Sequence, residues 1–150
     1  MLQQIKMVTY CVKNLHTNIN AWQQYLGYKI IAQGKLEEEL AELWAAKNAA
    51  GLPFAILEPA SGDAVWIRFI ETGRDLPFQN PLYQGWNATE ILIEDPDELA
   101  AHFQDSPFRV IGGPHDLYNS KKSPRAIQVI GPAGEMPVSY THLRAHETDS

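Results

Sequence analysis

The feature that most constrains the fold of this chain is an element pattern that occurs twice, about eighty residues apart. In the first copy, residues 7–15 alternate between apolar and polar side chains, which is typical of a strand. Apolar side chains at Ile19, Trp22 and Leu26 then share one helical face, and Gly27 ends that helix. Further strands are predicted over residues 28–32, 53–58 and 64–71, so the first copy has the order βαβββ.

The second copy repeats this order and its turn chemistry. Residues 88–95 predict a strand, and Pro96 begins a helix that runs to Gln104. Residues 108–111 correspond to the second strand of the first copy, and residues 125–130 correspond to its third strand. The predicted fold class is therefore α+β, with two tandem βαβββ modules, and the second module ends where its last strand should begin.

These patterns also predict the domain organisation. In chain order they give a first module at 1–73, a linker rich in proline and glycine at 74–85, a second module at 86–137 and a tail at 138–150. Within the first module, leucine, alanine and glutamate residues predict an inserted helix over about residues 36–50. Its apolar stripe, which includes Leu40, Leu43 and Trp44, is expected to pack on the module's own sheet. A partner-binding face is the alternative.

The tail resembles translated DNA from a sequencing library. Residues 138–148 match the mosaic end and the read-primer segment of a transposase sequencing adapter, which implies a truncated metagenomic gene fragment. The last strand of the second module is then lost or replaced by this non-native tail. Residues 138–143 alternate, and we expect them to pair with the strand edge at 126–130. Deletion of 138–150 is expected to lower solubility and to leave ligand affinity unchanged.

Composition excludes several classes of function. Twelve Lys and Arg residues against eighteen Asp and Glu residues give a formal charge of −6, which disfavours nucleic acid and anionic membranes as partners. The one cysteine, Cys11, excludes an intramolecular disulfide. Because the N-terminal residues lack the pattern of a secretory signal, a cytoplasmic protein is expected.

Two local motifs give the repeat a family resemblance. The first strand ends in Val-Lys-Asn-Leu at residues 12–15, and the helix closes on Tyr-Leu-Gly-Tyr at residues 25–28. With the second module in register, they resemble the vicinal oxygen chelate superfamily over residues 5 to about 136. That superfamily includes glyoxalase I, bleomycin resistance proteins and extradiol dioxygenases. The resemblance implies two modules that form a curved mixed sheet around a cleft, and a divalent metal held there by ligands on first and last strands.

The ligand positions that the resemblance implies carry unsuitable side chains. The first-strand position falls on Met7 in the first module and on Ala88 in the second. The last strand of the first module offers one acid, Glu71, and that of the second module lies in the tail. The tail histidines His142 and His146 are excluded with the tail. We therefore predict no metal and no other cofactor in these modules, and a divalent metal only in missing C-terminal modules.

Strand alternation predicts which side chains face the cleft. The more apolar face of each strand is expected to meet the helices, which leaves the opposite face for the cleft. The cleft side then carries, in chain order, Met7, Thr9, Cys11, Trp66, Arg68, Ile70, Ala88, Glu90, Leu92 and Gln128. A few polar groups on an apolar concave wall are typical of a small-molecule pocket.

From this set we predict the site residues. Arg68 and Glu90 are the candidate catalytic residues: Arg68 holds an anionic or carbonyl oxygen, and Glu90 accepts a proton. The candidate ligand-binding residues are Met7, Thr9, Trp66 and Gln128. In the alternative interpretation, Arg68 and Glu90 form a structural ion pair between the modules, and Trp66 and Trp86 serve in packing.

Three functions remain open at this point. The first is a small-molecule-binding protein or metal-independent enzyme of the glyoxalase and bleomycin-resistance type. The second is the non-catalytic half of a metal-dependent glyoxalase-like lyase or extradiol-type dioxygenase, and the third is a protein that sequesters an antibiotic or toxin. A small molecule is the expected ligand in each case. A second copy of the chain or the missing C-terminal modules are the alternative protein partners.

Overall fold

The first copy of the repeat folds into the predicted strand, helix and three strands. A computed structural model describes residues 5–74, 88–120 and 123–141, within two compact units that divide between Gln79 and Asn80. The first unit contains, in order, β1 (Met7–Val12), α1 (Leu15–Leu26), β2 (Tyr28–Lys35), α2 (Glu38–Leu43), β3 (Pro53–Pro59) and β4 (Trp66–Glu71). Most of the predicted linker, together with Trp86, lies outside the described residues.

Both ends of α1 are set by local chemistry. At its start, the Asn14 side chain accepts a hydrogen bond of 2.8 Å from the backbone N–H of Thr17. At its end, Gly27 adopts the left-handed conformation with φ 66°. The carboxylate of Glu71 in β4 accepts a further bond of 2.7 Å from the N–H of Leu15. This bond holds the first turn of α1 against the end of β4, and the negative charge suits a helix N-terminus.

One face of the first sheet forms the core of the unit. The strand order is β1-β4-β3-β2, with β1 parallel to β4 and the other neighbours antiparallel. Trp22 of α1 is fully buried against this face. Its ring centroid lies 5.0 Å from that of Tyr28 and 5.5 Å from that of Phe69. The face of the sheet that carries Tyr10 and Phe69 is therefore the helix-covered face, as the alternation predicts.

The inserted helix α2 is shorter than predicted and ends well before residue 50. The N–H of Ala45 bonds to the carbonyl of Glu42, and the N–H of Ala46 bonds to the carbonyl of Ala41. Ala45 itself has a left-handed φ of 54°. These are the bonds of a Schellman C-cap, with alanine in the place that glycine usually takes. Backbone closure thus ends the helix, although the residues that follow favour its continuation.

The second unit repeats the topology of the first. It contains β5 (Thr89–Leu92), α3 (Pro96–His102), β6 (Arg109–Asp116), β7 (Arg125–Ile130) and β8 (Pro137–Tyr140). The strand order is β5-β8-β7-β6, with β5 parallel to β8. Phe103 and Phe108 stack in its core at 4.9 Å between ring centroids, and Ile127 is fully buried as well. The α+β class with tandem βαβββ modules and mixed sheets is confirmed.

The last strand of the second unit comes largely from the predicted tail. The expected pairing of this segment with residues 126–130 is confirmed, since β8 pairs antiparallel with β7. However, β8 also pairs with β5 and so lies inside the sheet. Deletion of 138–150 would therefore also remove the one strand that β5 pairs with in the described residues, and the expectation that it leaves ligand affinity unchanged stays a prediction. The tail beyond 141 lies outside them.

No helix within the described ranges has the length and apolar character needed to cross a membrane.

Candidate functional site

The face of the first sheet opposite α1 carries the predicted ligand-binding side chains. We call it the open face, and it is formed by Met7, Thr9 and Cys11 of β1, Phe54 and Ile56 of β3, and Trp66, Arg68 and Ile70 of β4. In the β1–β4 register, Met7 lies opposite Trp66, and Thr9 lies opposite Arg68. Neighbouring strands are about 4.8 Å apart, so these side chains are in contact range of each other. The structure therefore brings together the four site residues predicted in the first module.

Arg68 is the one cation among the eight residues that define the open face; Lys29 of β2 lies on the same side of the sheet and is paired with Glu58. Its side chain is half-buried between Thr9 on β1 and Ile56 on β3. The ion pairs of residues 5–74, 88–120 and 123–141 join other side chains, and none of these residues offers Arg68 a carboxylate partner. Burial lowers the pKa of Arg68, and no neighbouring charge offsets this effect. The guanidinium remains protonated at neutral pH, because an arginine pKa starts above 12.

Trp44 lies beside the predicted site residues, although its apolar stripe is predicted from the sequence to pack on the sheet, with a partner-binding face as the alternative. The guanidinium carbon of Arg68 lies over the Trp44 ring, 4.8 Å from the ring centroid. This distance is within the range of a cation–π interaction. Trp44 follows α2 directly in the inserted segment, so the insertion reaches the open face. No signal of this contact is present in the sequence. Helical periodicity predicts which side chains share the apolar face of a helix, but not which residues elsewhere in the chain pack against that face.

In the second unit, Glu90 and Gln128 share the face opposite the buried Ile127. Both are exposed, and both lie opposite Val138 of β8, Glu90 from β5 and Gln128 from β7. Tyr140 is two residues further along β8 and points to the same side. Burial raises the pKa of Tyr140, and the negative charge of Glu90 and a hydrogen bond to its carboxylate raise it further. The predicted proton acceptor Glu90 and the Tyr140 phenol are therefore neighbours on this face.

The predicted ion pair between Arg68 and Glu90 stays a prediction. Arg68 belongs to the first unit and Glu90 to the second, and their contacts within their own units are to Trp44 and Tyr140 respectively. Trp66 is half-buried on the open face next to Met7, a position that suits both ligand contact and packing.

Solved structures with this topology are numerous. The chain is similar to a glyoxalase family protein from Bacillus cereus, with a TM-score of 0.72, 16% identity and coverage of 95% of this chain and 96% of that one. It is also similar to a glyoxylase/bleomycin resistance protein/dioxygenase domain from Frankia sp. EAN1pec, with a TM-score of 0.68, 12% identity and coverage of 94% and 98%. The chain has the fold of the glyoxalase/bleomycin resistance/dioxygenase superfamily.

The likeness extends over part of a larger enzyme as well. A glyoxalase I variant from Zea mays matches with a TM-score of 0.68 and 15% identity, over 93% of this chain and 44% of that one. No protein-family model matches the sequence, and no curated protein matches it either. At these identities the similarity shows the fold alone, so the resemblance seen in the sequence is confirmed at the level of the fold.

The metal that the glyoxalase-type fold implies does not fit the residues present. The ligand positions that the resemblance implies hold a thioether at Met7 of β1 and a methyl group at Ala88, which directly precedes β5. Glu71 lies on the helix-covered side, where its carboxylate bonds to the N–H of Leu15. Among the described residues, no three His, Cys, Asp or Glu side chains come together as a metal-binding group. We therefore derive no step of binding or catalysis through a metal.

Proposed function

We propose that the protein binds a small organic molecule on the open face of the first unit, and that Arg68 holds an anionic or carbonyl oxygen of that molecule. The observation that carries this proposal is a half-buried guanidinium with no carboxylate partner in the described residues. A partly desolvated charge is stabilised when a ligand oxygen replaces the water that burial has removed. Arginine suits this role because its planar fork of N–H donors matches such oxygens.

Neighbouring side chains supply the rest of the proposed site. Thr9 lies directly across from Arg68 and offers an exposed hydroxyl as a second donor. Met7 and Trp66 form a half-buried apolar pair beside it, against which the body of a ligand can pack. One cation and one hydroxyl among apolar side chains are typical of a small-molecule site.

Two fates of the bound ligand are compatible with such a site. In a metal-independent enzyme, Glu90 is the candidate proton acceptor and Gln128 a candidate polar contact, and both lie on one face of the second sheet. In a sequestering protein of the bleomycin-resistance type, the ligand is held unchanged. Sequestration needs only the binding site at Arg68 and is the second candidate function.

Binding by wild-type protein and the Arg68→Met variant tests the proposal. A set of small acids and carbonyl compounds is titrated into labelled protein, and affinities are measured by NMR with and without a chelator. Loss of a charge-assisted hydrogen bond of about 1.5–3 kcal/mol predicts an affinity at least about tenfold weaker in the variant. Arg109→Met, at an exposed arginine of β6, is the matched control and should bind as wild type does.

The outcomes separate the candidate functions. Ligands that bind equally well to the Arg68→Met variant would refute the site. Conversion of a bound ligand by wild-type protein, and its loss in Glu90→Gln, identify an enzyme, whereas a ligand recovered unchanged identifies a sequestering protein. Affinity that disappears with the chelator would show that a metal takes part and would favour the metal-dependent alternative.

Two further expectations concern the cellular compartment of the protein and the origin of its C-terminal residues. We propose a cytoplasmic protein whose gene ends in adapter sequence from residue 138 onward. The resemblance of residues 138–148 to translated adapter sequence supports the second point.

A further inference from the structure

The position of Trp44 is fixed by an anchored segment. The insertion between β2 and β3 is closed at its base by backbone bonds from Leu36 N–H to the Leu52 carbonyl at 2.9 Å and from Gly51 N–H to the Leu36 carbonyl at 2.8 Å. Leu36 and Ala41 are buried and hold the segment against the unit. Trp44 is the C-cap residue of α2, so the Schellman bonds described above fix the backbone from which its ring extends.

The position of the Trp44 ring beside Arg68 restricts which Arg68 N–H groups can form hydrogen bonds with a ligand. The guanidinium carbon lies over the Trp44 ring, so the ring covers one side of the guanidinium and leaves the N–H donors that point away from the ring available to a ligand. Two oxygens of a planar carboxylate match two of these parallel donors, whereas an amide offers one oxygen and no charge. A phosphate dianion carries one more negative charge than Arg68 balances, and Lys29 of β2 is already paired with Glu58 at 3.3 Å.

The surroundings of Arg68 restrict the rest of the ligand. The flanking side chains of the open face are apolar or aromatic: Met7, Phe54, Ile56, Trp66 and Ile70. Flat apolar surfaces pack well against such side chains, and a polar ligand body would lose its hydration there without replacement.

We propose that Trp44 is a specificity-determining residue that positions Arg68, and that the ligand class is a monocarboxylate with a flat apolar body. The inference rests on the proposed function at Arg68 and deepens it. Trp44 holds the guanidinium so that its N–H groups donate hydrogen bonds to the carboxylate oxygens. The apolar side chains of the open face contact the ring system of the ligand.

Three probes with one ring system test the inference: 2-naphthoate, 2-naphthamide and 2-naphthyl phosphate. Wild-type protein should bind the acid at least about tenfold more tightly than the amide. Trp44→Leu keeps an apolar side chain without a ring and should weaken 2-naphthoate binding about fivefold, whereas Trp44→Phe should restore most of the affinity. Leu43→Ala, at the adjacent residue with 80% exposure, is the matched control and should change nothing.

The acid-to-amide preference is the readout that a merely structural role for Trp44 would not change. An Arg68→Met variant that keeps this preference would refute the proposed function itself. If binding depends on Arg68 but the acid and the amide bind equally well, only the further inference is refuted. The same holds if binding depends on Arg68 but Trp44→Leu binds 2-naphthoate as tightly as wild-type protein does. Preference for the phosphate, or no binding of 2-naphthoate to wild-type protein, would overturn the ligand class. Amide spectra of each variant verify that it is folded.

Discussion

The hydroxyl of Ser139 is expected to destabilise the second unit, and Ser139→Ala should therefore stabilise it. The residue is fully buried on β8, and its side-chain oxygen has no hydrogen-bond partner in the described residues. A buried hydroxyl without a partner costs about 1–3 kcal/mol relative to its hydrated state in the unfolded chain. Loss of the few dispersion contacts of one oxygen atom offsets part of this, at about 0.1–0.2 kcal/mol per contact.

We therefore expect the free energy of unfolding of the second unit to be about 1 kcal/mol higher in Ser139→Ala than in wild-type protein. This corresponds to a ratio of folded to unfolded protein that is about fivefold higher. Urea unfolding followed by hydrogen exchange of the β7 amides measures this change within the second unit. The β3 amides of the first unit provide an internal reference, since they belong to the other compact unit. The measurement compares wild-type protein with the variant at one pH and temperature.

Ser106→Ala provides the matched control in the same unit. The Ser106 hydroxyl donates to the Phe103 carbonyl at 2.9 Å and accepts from the Phe108 N–H at 3.0 Å. Its removal should lower the free energy of unfolding by about 1 kcal/mol, because it leaves a paired amide without its acceptor. A Ser139→Ala variant that is destabilised to the same degree would refute the reasoning, since the Ser139 hydroxyl would then have a stabilising partner.

Two further outcomes are expected. Deletion of residues 138–150 should unfold the second unit, because β5 then lacks the only strand it pairs with in the described residues; amide spectra that keep their dispersion over residues 88–130 would contradict this. Burial raises the pKa of Tyr28 from 10.0 to about 12, so the native state holds the phenolic proton more tightly than the unfolded chain does. The stability that this contributes is present below pH 10 and is lost as the pH rises towards 12, and unfolding measured across this range should show a smaller loss in Tyr28→Phe.

Much of the fold could be predicted because it depends on local patterns. Alternation gave the buried and open faces of β1 and β4, since neighbouring residues of a strand point to opposite sides. Helical spacing located Trp22 on the core side of α1, and Gly27 marked the end of that helix. The repeat of these signals in the second half then predicted the tandem βαβββ modules, which the structure confirms.

The remaining features depend on contacts between residues distant in sequence, for which no periodic signal exists. Helix propensity extended α2 to about residue 50, whereas the backbone closes it at Ala45 and thereby carries Trp44 to Arg68. The position of β8 inside its sheet, and with it the burial of Ser139, follows from strand pairing that alternation alone does not specify. The sequence by itself determined the elements and their faces, because these follow from neighbouring side chains. Tertiary structure decided which of those faces meet, because packing joins segments that the chain order keeps apart.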